Sequence, residues 1–239
     1  MPAVTENKTP YYDTDLIVKL KSEMRKIKKG WKEVCSDTGE FDVDSYVSGS
    51  QKCFTDEEKM KVGGYKVLIL LDHSASIRQY NRIYKKACIT LCEALSALGI
   101  QFAVYGFSQP MRMVSIGLIK SFKEKWTRIN AKRLASFEIA GGTPLNVVYE
   151  ELSKVVDRTG KLIFITLTDG EPNLKKTTMK QIKKLKKKCK MVAIGLGENM
   201  EKVVALTKNL KNLEYDECVA LDNIKKLPEK VFKLILCVV

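Results

Sequence analysis

The chain has 239 residues, 45% hydrophobic and 29% charged, with 42 Lys and Arg against 28 Asp and Glu and a net charge of +14. That length is enough for one sizeable domain with a full hydrophobic core and an N-terminal appendage, and the composition is that of a soluble globular protein. The positive excess points to an acidic partner, a nucleic acid or an anionic surface. Seven cysteines, at 35, 53, 88, 92, 189, 218 and 237, form no CxxC pair, and with one histidine there is neither a disulfide framework nor a Cys/His zinc pattern. A reducing, cytoplasmic setting is therefore expected. No stretch approaches the roughly 18 apolar residues of a membrane span. The polar "MPAVTENKTP" has no signal-peptide run, and Cys237 stands one place off a prenylation box.

In chain order, Leu16 to Val34 fits a helix rich in lysine. The stretch that follows, "CSDTGEFDVDSYVSGSQKCFTDEEKMKVGG", is polar, broken by Gly39, Gly49, Gly63 and Gly64, and poor in strand signal. Residues 1–63 are accordingly expected to form a helical and irregular appendage to a domain spanning 64–239. Within that domain "YKVLILL" (65–71), "QFAVYGF" (101–107), "KLIFITL" (161–167) and "KMVAIGL" (190–196) are short and almost wholly apolar, as strands covered on both faces must be. "MRMVSI" (111–116) reads as a short hairpin partner at the sheet edge. Helices are predicted over Tyr80 to Leu98, Ile119 to Leu134, Leu145 to Val156, Thr177 to Lys188 and Met200 to Leu210. "CVAL" (218–221) reads as a last strand and Ile224 to Leu236 as a last helix. Alternating β and α elements specify an α/β fold with a doubly wound, mostly parallel, Rossmann-like sheet, which binds ligands at the carboxyl ends of its strands.

Those strand ends carry the oxygen-bearing residues. The first apolar run closes in Asp72, Ser74 and Ser76; "AGGTPLN" (140–146) precedes a helix; "LIFITL" runs into "TDGEPN" (168–173). Oxygen donors without sulfur or nitrogen suit a hard cation such as Mg²⁺ or Mn²⁺. Only Asp72 and Asp169 would bring negative charge, so a cation held there would retain an appetite for another carboxylate.

The set Asp72-x-Ser74-x-Ser76, Thr143 in "GGTPL" and Asp169 in "TDGEP" resembles the metal-ion-dependent adhesion site (MIDAS) of von Willebrand factor type A (VWA) domains, over roughly residues 64–239. The resemblance implies that Ser74, Ser76 and Thr143 bind the cation directly and that Asp72 and Asp169 act directly or through water. It further implies a coordination position open to a Glu or Asp of a partner protein. Ala75 stands where the family usually has Gly, and Ile77 where Met is frequent. The segment "GWKEVCSDTGEFDVDSY" followed by "KCFTDEE" looks like the region ahead of the VWA domain in the cobaltochelatase subunit CobT and its relatives. That likeness implies an AAA+ ATPase of the MoxR type as partner, with a chelatase subunit as the alternative role; the chain lacks the long acidic region of full-length CobT proteins.

Enzymatic readings fit less well. His73 should be turned away from Asp72 and Ser74 by the alternation of the loop, and the GxSxG elbow that would expose a nucleophilic Ser74 is absent. A haloacid-dehalogenase-type phosphotransferase needs an aspartate where Ser74 stands. "GLGEN" (195–199) satisfies neither GxGxxG nor the Walker pattern. Cys88 and Cys92, one helical turn apart, are expected to be buried as small apolar residues. The segment "LKKTTMKQIKKLKKKCK" (174–190) sets Met179, Ile182, Leu185 and Cys189 on one stripe and nine lysines around it. It reads as a solvated helix face or as a dock for an acidic surface or a phosphate backbone. Its lack of aromatic residues weakens single-strand nucleic-acid binding. The expectation is thus a non-catalytic, metal-dependent protein-binding module, with basic nucleic-acid binding as the rival.

Overall fold

The computed structural model describes residues 10–28, 31–36, 40–41, 54–59, 65–156, 161–197, 199–228 and 230–231. In chain order these form α1 (Thr14–Lys28), β1 (Trp31–Ser36), β2 (Glu40–Phe41), β3 (Phe54–Lys59), β4 (Lys66–Asp72), α2 (Asn81–Ala97), β5 (Phe102–Ser108) and β6 (Ser115–Lys120). There follow α3 (Arg128–Ser136), α4 (Leu145–Leu152), β7 (Leu162–Leu167), α5 (Lys175–Leu185), β8 (Lys190–Leu196), α6 (Met200–Lys211) and β9 (Glu217–Leu221).

The four apolar runs seen in the sequence are β4, β5, β7 and β8, and they sit inside a six-stranded sheet of order β6-β5-β4-β7-β8-β9. All neighbours are parallel except β5 and β6. Central β4 shows why the runs are uniformly apolar. Val67, Ile69 and Leu71 face a core built with α1, α2 and α3, while Leu68 and Leu70 face a second core built with α4, α5 and α6. Both faces are dry, so alternation of polar and apolar residues would have left a polar group unpaired.

The hairpin partner of β5 lies at 115–120, four residues further on than "MRMVSI" suggested, because Pro110–Arg112 is consumed by a 3-10 turn in which Met111 and Arg112 have φ of 47° and 64°. The helix expected from Ile119 therefore begins only at Arg128. Ile119 and Lys120 belong to β6, where the Lys120 ammonium donates to the Phe102 carbonyl (2.6 Å) and lies over the Phe102 ring. The start of α3 is set by a capping box between Thr127 and Asn130.

The first helix ends at Lys28, not Val34. Trp31–Ser36 is instead a strand, antiparallel to β3, and the described residues between 31 and 59 hold a three-stranded sheet of order β1-β3-β2. These polar strands gain their hydrogen bonds from partners far along the chain, which local propensity does not register. Helix α1 is not detached: Leu16, Ile17 and Leu20 are buried, Leu20 joins the main core, and Lys86 on α2 pairs with Asp13 at 3.1 Å. A 3-10 turn at Ile224–Lys226 leads into helical residues at 227–228 and 230–231. The 232–236 part of the expected last helix, the glycines at 39, 49, 63 and 64, Cys53, Cys237 and the 42–53 part of the CobT-like segment lie outside the described residues. Among the described residues no helix is long and apolar enough to cross a membrane.

Candidate metal centre

Strands β4, β5 and β7 end on one side of the sheet, and main-chain hydrogen bonds join the loops around them. The His73 N–H donates to the Phe107 carbonyl (2.9 Å), Ala140 N–H to that of His73 (3.0 Å), Gln109 N–H to that of Ala140 (2.8 Å) and Ala75 N–H to that of Gly141 (2.7 Å). Segment 140–142 is thereby wedged between the loops that follow β4 and β5. Gly141 makes the wedge possible: its φ is +66°, and a Cβ there would collide with the Gln109 carbonyl.

Asp72 closes β4 with its side chain fully buried, and its two oxygens have separate tasks. Oδ1 accepts the Ser74 N–H (2.8 Å), turning the chain sharply after the strand; Oδ2 accepts the Thr168 hydroxyl (2.7 Å). The turn leaves the Ser74 and Ser76 hydroxyl oxygens 2.9 Å apart, and the Ser76 hydroxyl in turn hydrogen-bonds Asp169. Asp72, Ser74, Ser76 and Asp169 are thus contiguous. Thr143 is buried on the adjoining loop, and among the described residues its hydroxyl makes no hydrogen bond to the other four. Its loop is clamped by Asn173: the Thr143 N–H donates to Asn173 Oδ1 (2.9 Å) and the Thr143 carbonyl accepts the Asn173 N–H (3.0 Å). Asn173 Nδ2 also donates to Gln109 Oε1 (3.2 Å), tying three loops together.

Thr168, Gln109 and Asn173 were not singled out from the sequence. For Thr168 a signal existed, since a hydroxyl directly after a fully buried strand requires a buried partner. Gln109 and Asn173 meet across 64 positions and carry no local signature.

Burial, then the charge of Asp169, pushes the Asp72 carboxyl up to about 7. Asp169 is also raised, by burial first, with the Ser76 hydrogen bond opposing. Neither carboxylate has an ion-pair partner among the described residues, so the pair carries its charge at a cost that a cation would remove. The available donors are carboxylate and hydroxyl oxygens, and among the described residues no three His, Cys, Asp or Glu side chains cluster. That chemistry fits a hard divalent cation and does not fit structural zinc. A cavity of about 180 Å³, lined by Ser76, Asp169, Gln79, Glu171, Lys202 and Asn209, opens the site to solvent.

His73 faces elsewhere. Its ring is fully buried against Phe137 (centroids 4.5 Å apart), with Nδ1 3.2 Å from the Leu71 carbonyl oxygen. Burial and the nearby Lys85 charge push its pKa down to about 3, so it is a neutral packing residue at physiological pH. Ala75 is not among the residues with positive φ, which removes any conformational demand for the family's glycine. Cys88 and Cys92 are fully buried in the α2 core.

The chain matches no protein-family model and no curated protein sequence. Among solved structures, the pilus adhesin SpaC of Lactobacillus rhamnosus GG, in its open conformation, is similar at a TM-score of 0.57 and 12% identity, over 87% of this chain and 33% of that one. The manganese-loaded TRAP protein of Plasmodium vivax is similar at 0.52 and 18% identity, over 72% of each chain. Proximal thread matrix protein 1 of the mussel byssus, with a zinc-occupied MIDAS motif, is similar at 0.53 and 22% identity, over 72% of this chain and 46% of that one. The fold is that of a VWA domain. At these identities the likeness is one of fold. This chain spans a third of SpaC and under half of the mussel protein. In the VWA fold, the end of the sheet where Asp72 and Asp169 meet is the end where a parallel α/β sheet offers its ligand site.

Proposed function

We propose that the chain is a divalent-metal-dependent protein-binding module in which Asp72, Ser74, Ser76, Thr143 and Asp169 hold Mg²⁺ or Mn²⁺ for a Glu or Asp of a partner protein. The observation that carries this reading is the pair of largely buried carboxylates, Asp72 and Asp169, bridged through two serine hydroxyls and with no ion-pair partner among the described residues. A cation bound there would supply the missing counter-charge and an electron-poor face for an incoming carboxylate. The side chains of Thr168 and Asn173 keep the donors in place, Thr168 by fixing Asp72 and Asn173 by fixing the Thr143 loop. The manganese-loaded and zinc-occupied structures that share the fold support a divalent metal. The Ser74 hydroxyl hydrogen-bonds Ser76 and Asp72, and His73 packs away on Phe137, so the geometry favours binding without catalysis.

The finer reading is a cytoplasmic adaptor of an AAA+ ATPase of the MoxR type, resting on the CobT-like stretch ahead of the sheet domain. Calorimetry of the full chain with Mg²⁺ and Mn²⁺ tests the central claim. Saturable binding is expected, weakened at least about 100-fold in Asp72→Ala. Absence of binding by the unaltered chain, or equal binding by Asp72→Ala, would overturn it. For the partner, affinity capture with Mg²⁺ should retain an AAA+ ATPase that a chelator releases; capture that ignores the chelator would remove the adaptor reading.

A further inference from the structure

The lysines of segment 174–190 are not used by the metal centre, and the structure divides them. Three are engaged: Lys183 pairs with Glu214 (2.9 Å), Lys186 pairs with Asp216 (3.1 Å) and Lys188 donates to the Ser153 carbonyl (2.8 Å). Among the described residues the side chains of the other six make no hydrogen bond or ion pair; Lys187 and Lys190 lie at the far end, and four lie nearer the centre. Lys175, Lys176, Lys180 and Lys184 are exposed and make no hydrogen bond or ion pair among the described residues. Lys175 follows Asn173, the residue that clamps the Thr143 loop, by two positions.

At 3.6 residues per turn, Lys176, Lys180 and Lys184 lie in one row about 12 Å long, and Lys175 stands in the same first turn about 100° around the helix from Lys176. The opposite face of α5 buries Thr178, Gln181, Ile182 and Leu185 on the sheet. This arrangement works against the helix. Its first turn holds two lysines and no carboxylate, at the end where the backbone dipole is already positive. Spacing of four residues then sets like charges side by side. Acidic side chains laid along the row would relieve both penalties.

We propose that this row docks an acidic stretch of polypeptide continuous with the carboxylate that a partner presents to the metal centre. The proposal takes its starting point from the metal-binding reading. A polypeptide fits better than a nucleic acid because segment 174–190 contains no aromatic residue on which a base could stack. Leu174, 57% exposed between Asn173 and Lys175, offers an apolar contact at the junction that suits a peptide side chain.

The test uses the full chain with Mg²⁺, a fluorescent glutamate homopolymer peptide and, separately, an oligothymidylate. The variant with Lys175→Gln, Lys176→Gln, Lys180→Gln and Lys184→Gln is compared with a charge-matched control with Lys123→Gln, Lys125→Gln, Lys208→Gln and Lys211→Gln. The row variant should lose at least about tenfold in peptide affinity and most of its salt dependence, while the control loses less than about threefold. Equal losses in the two variants would overturn the proposal in favour of net charge alone. Tighter binding of oligothymidylate through the same four lysines would overturn it in favour of a nucleic-acid surface. Calorimetric Mg²⁺ binding should be unchanged in the row variant. Failure of the metal reading would appear separately, as absence of Mg²⁺ binding in the unaltered chain.

Discussion

Replacing Asp72 with Asn should stabilise the metal-free protein at neutral and alkaline pH while removing its response to Mg²⁺. Asp72 is fully buried, and its carboxyl is raised from 3.8 to about 7 by burial and by Asp169. A carboxyl whose folded pKa exceeds its unfolded value favours the fold while protonated. That contribution is complete below 3.8 and is lost as pH rises through about 7. At about 1.4 kcal/mol per pH unit, the loss is under about 1 kcal/mol at pH 4 and about 4 kcal/mol at pH 8. Asn keeps the side-chain acceptor for the Ser74 N–H and a polar group for the Thr168 hydroxyl, yet never ionises. Urea unfolding in the presence of a chelator should therefore show the Asn variant gaining on the unaltered chain by up to about 4 kcal/mol from pH 4 to 8, or about 10 °C in Tm. Titration of His73 is common to both proteins and cancels in the difference. Saturating Mg²⁺ should restore the unaltered chain at pH 8 and leave the variant unmoved. A stability gap that stays flat with pH, or an Asn variant less stable at pH 8, would refute the argument that the carboxylate pair is held against its own charge.

Other outcomes follow from the same geometry. His73 is the one histidine in the chain, and with a pKa near 3 its imidazole C–H resonances should stay unshifted by NMR between about pH 5 and about pH 8. A normal sigmoid centred near 6.5 would show that the ring is not buried against Phe137. Gly141→Ala should cost more than about 2 kcal/mol in urea unfolding and weaken Mg²⁺ binding, because left-handed backbone and a collision with the Gln109 carbonyl coincide at that residue. Leu20→Ala should cost about 3 kcal/mol, since the side chain is fully enclosed in the main core; a cost near zero would mean that α1 does not dock on α2. Lys183→Gln, by contrast, should change stability by less than about 0.5 kcal/mol, because both members of its pair with Glu214 are largely in water.

Much of the sheet was legible because its strands are buried on both faces. Runs such as "VLILL" in β4 and "LIFITL" in β7 admit no other economical reading once they are separated by amphipathic stretches. The edge was less legible: β6 begins where Met111 and Arg112 have spent three residues on a turn in the left-handed region, which no local pattern of apolar residues announces. The strands of the appendage were missed for a related reason, since "FTDEEK" forms β3 only by pairing with β1. At the proposed site, Asp72, Ser74, Ser76 and Asp169 share a signal in the sequence, since each falls at a strand end or in the segment after it, but strand alternation stops at Asp72: Ser76 is brought beside Ser74 by a 3-10 turn over Ala75–Tyr80.

The sequence by itself determined the parallel α/β architecture and suggested the oxygen donors proposed here, the first from periodicity and the second from residue chemistry at strand ends. Tertiary structure alone decided how those donors are held. Thr168 reaches Asp72 across 96 positions, Asn173 reaches the Thr143 loop across 30, and the pKa of Asp72 rises first because the packed fold buries its carboxyl and second because it brings Asp169 close. It also decided which lysines of segment 174–190 are paired, since Glu214 and Asp216, the partners of Lys183 and Lys186, come from the turn ahead of β9. Such contacts depend on the crossing of distant segments, and neither propensity nor spacing within a segment encodes that crossing.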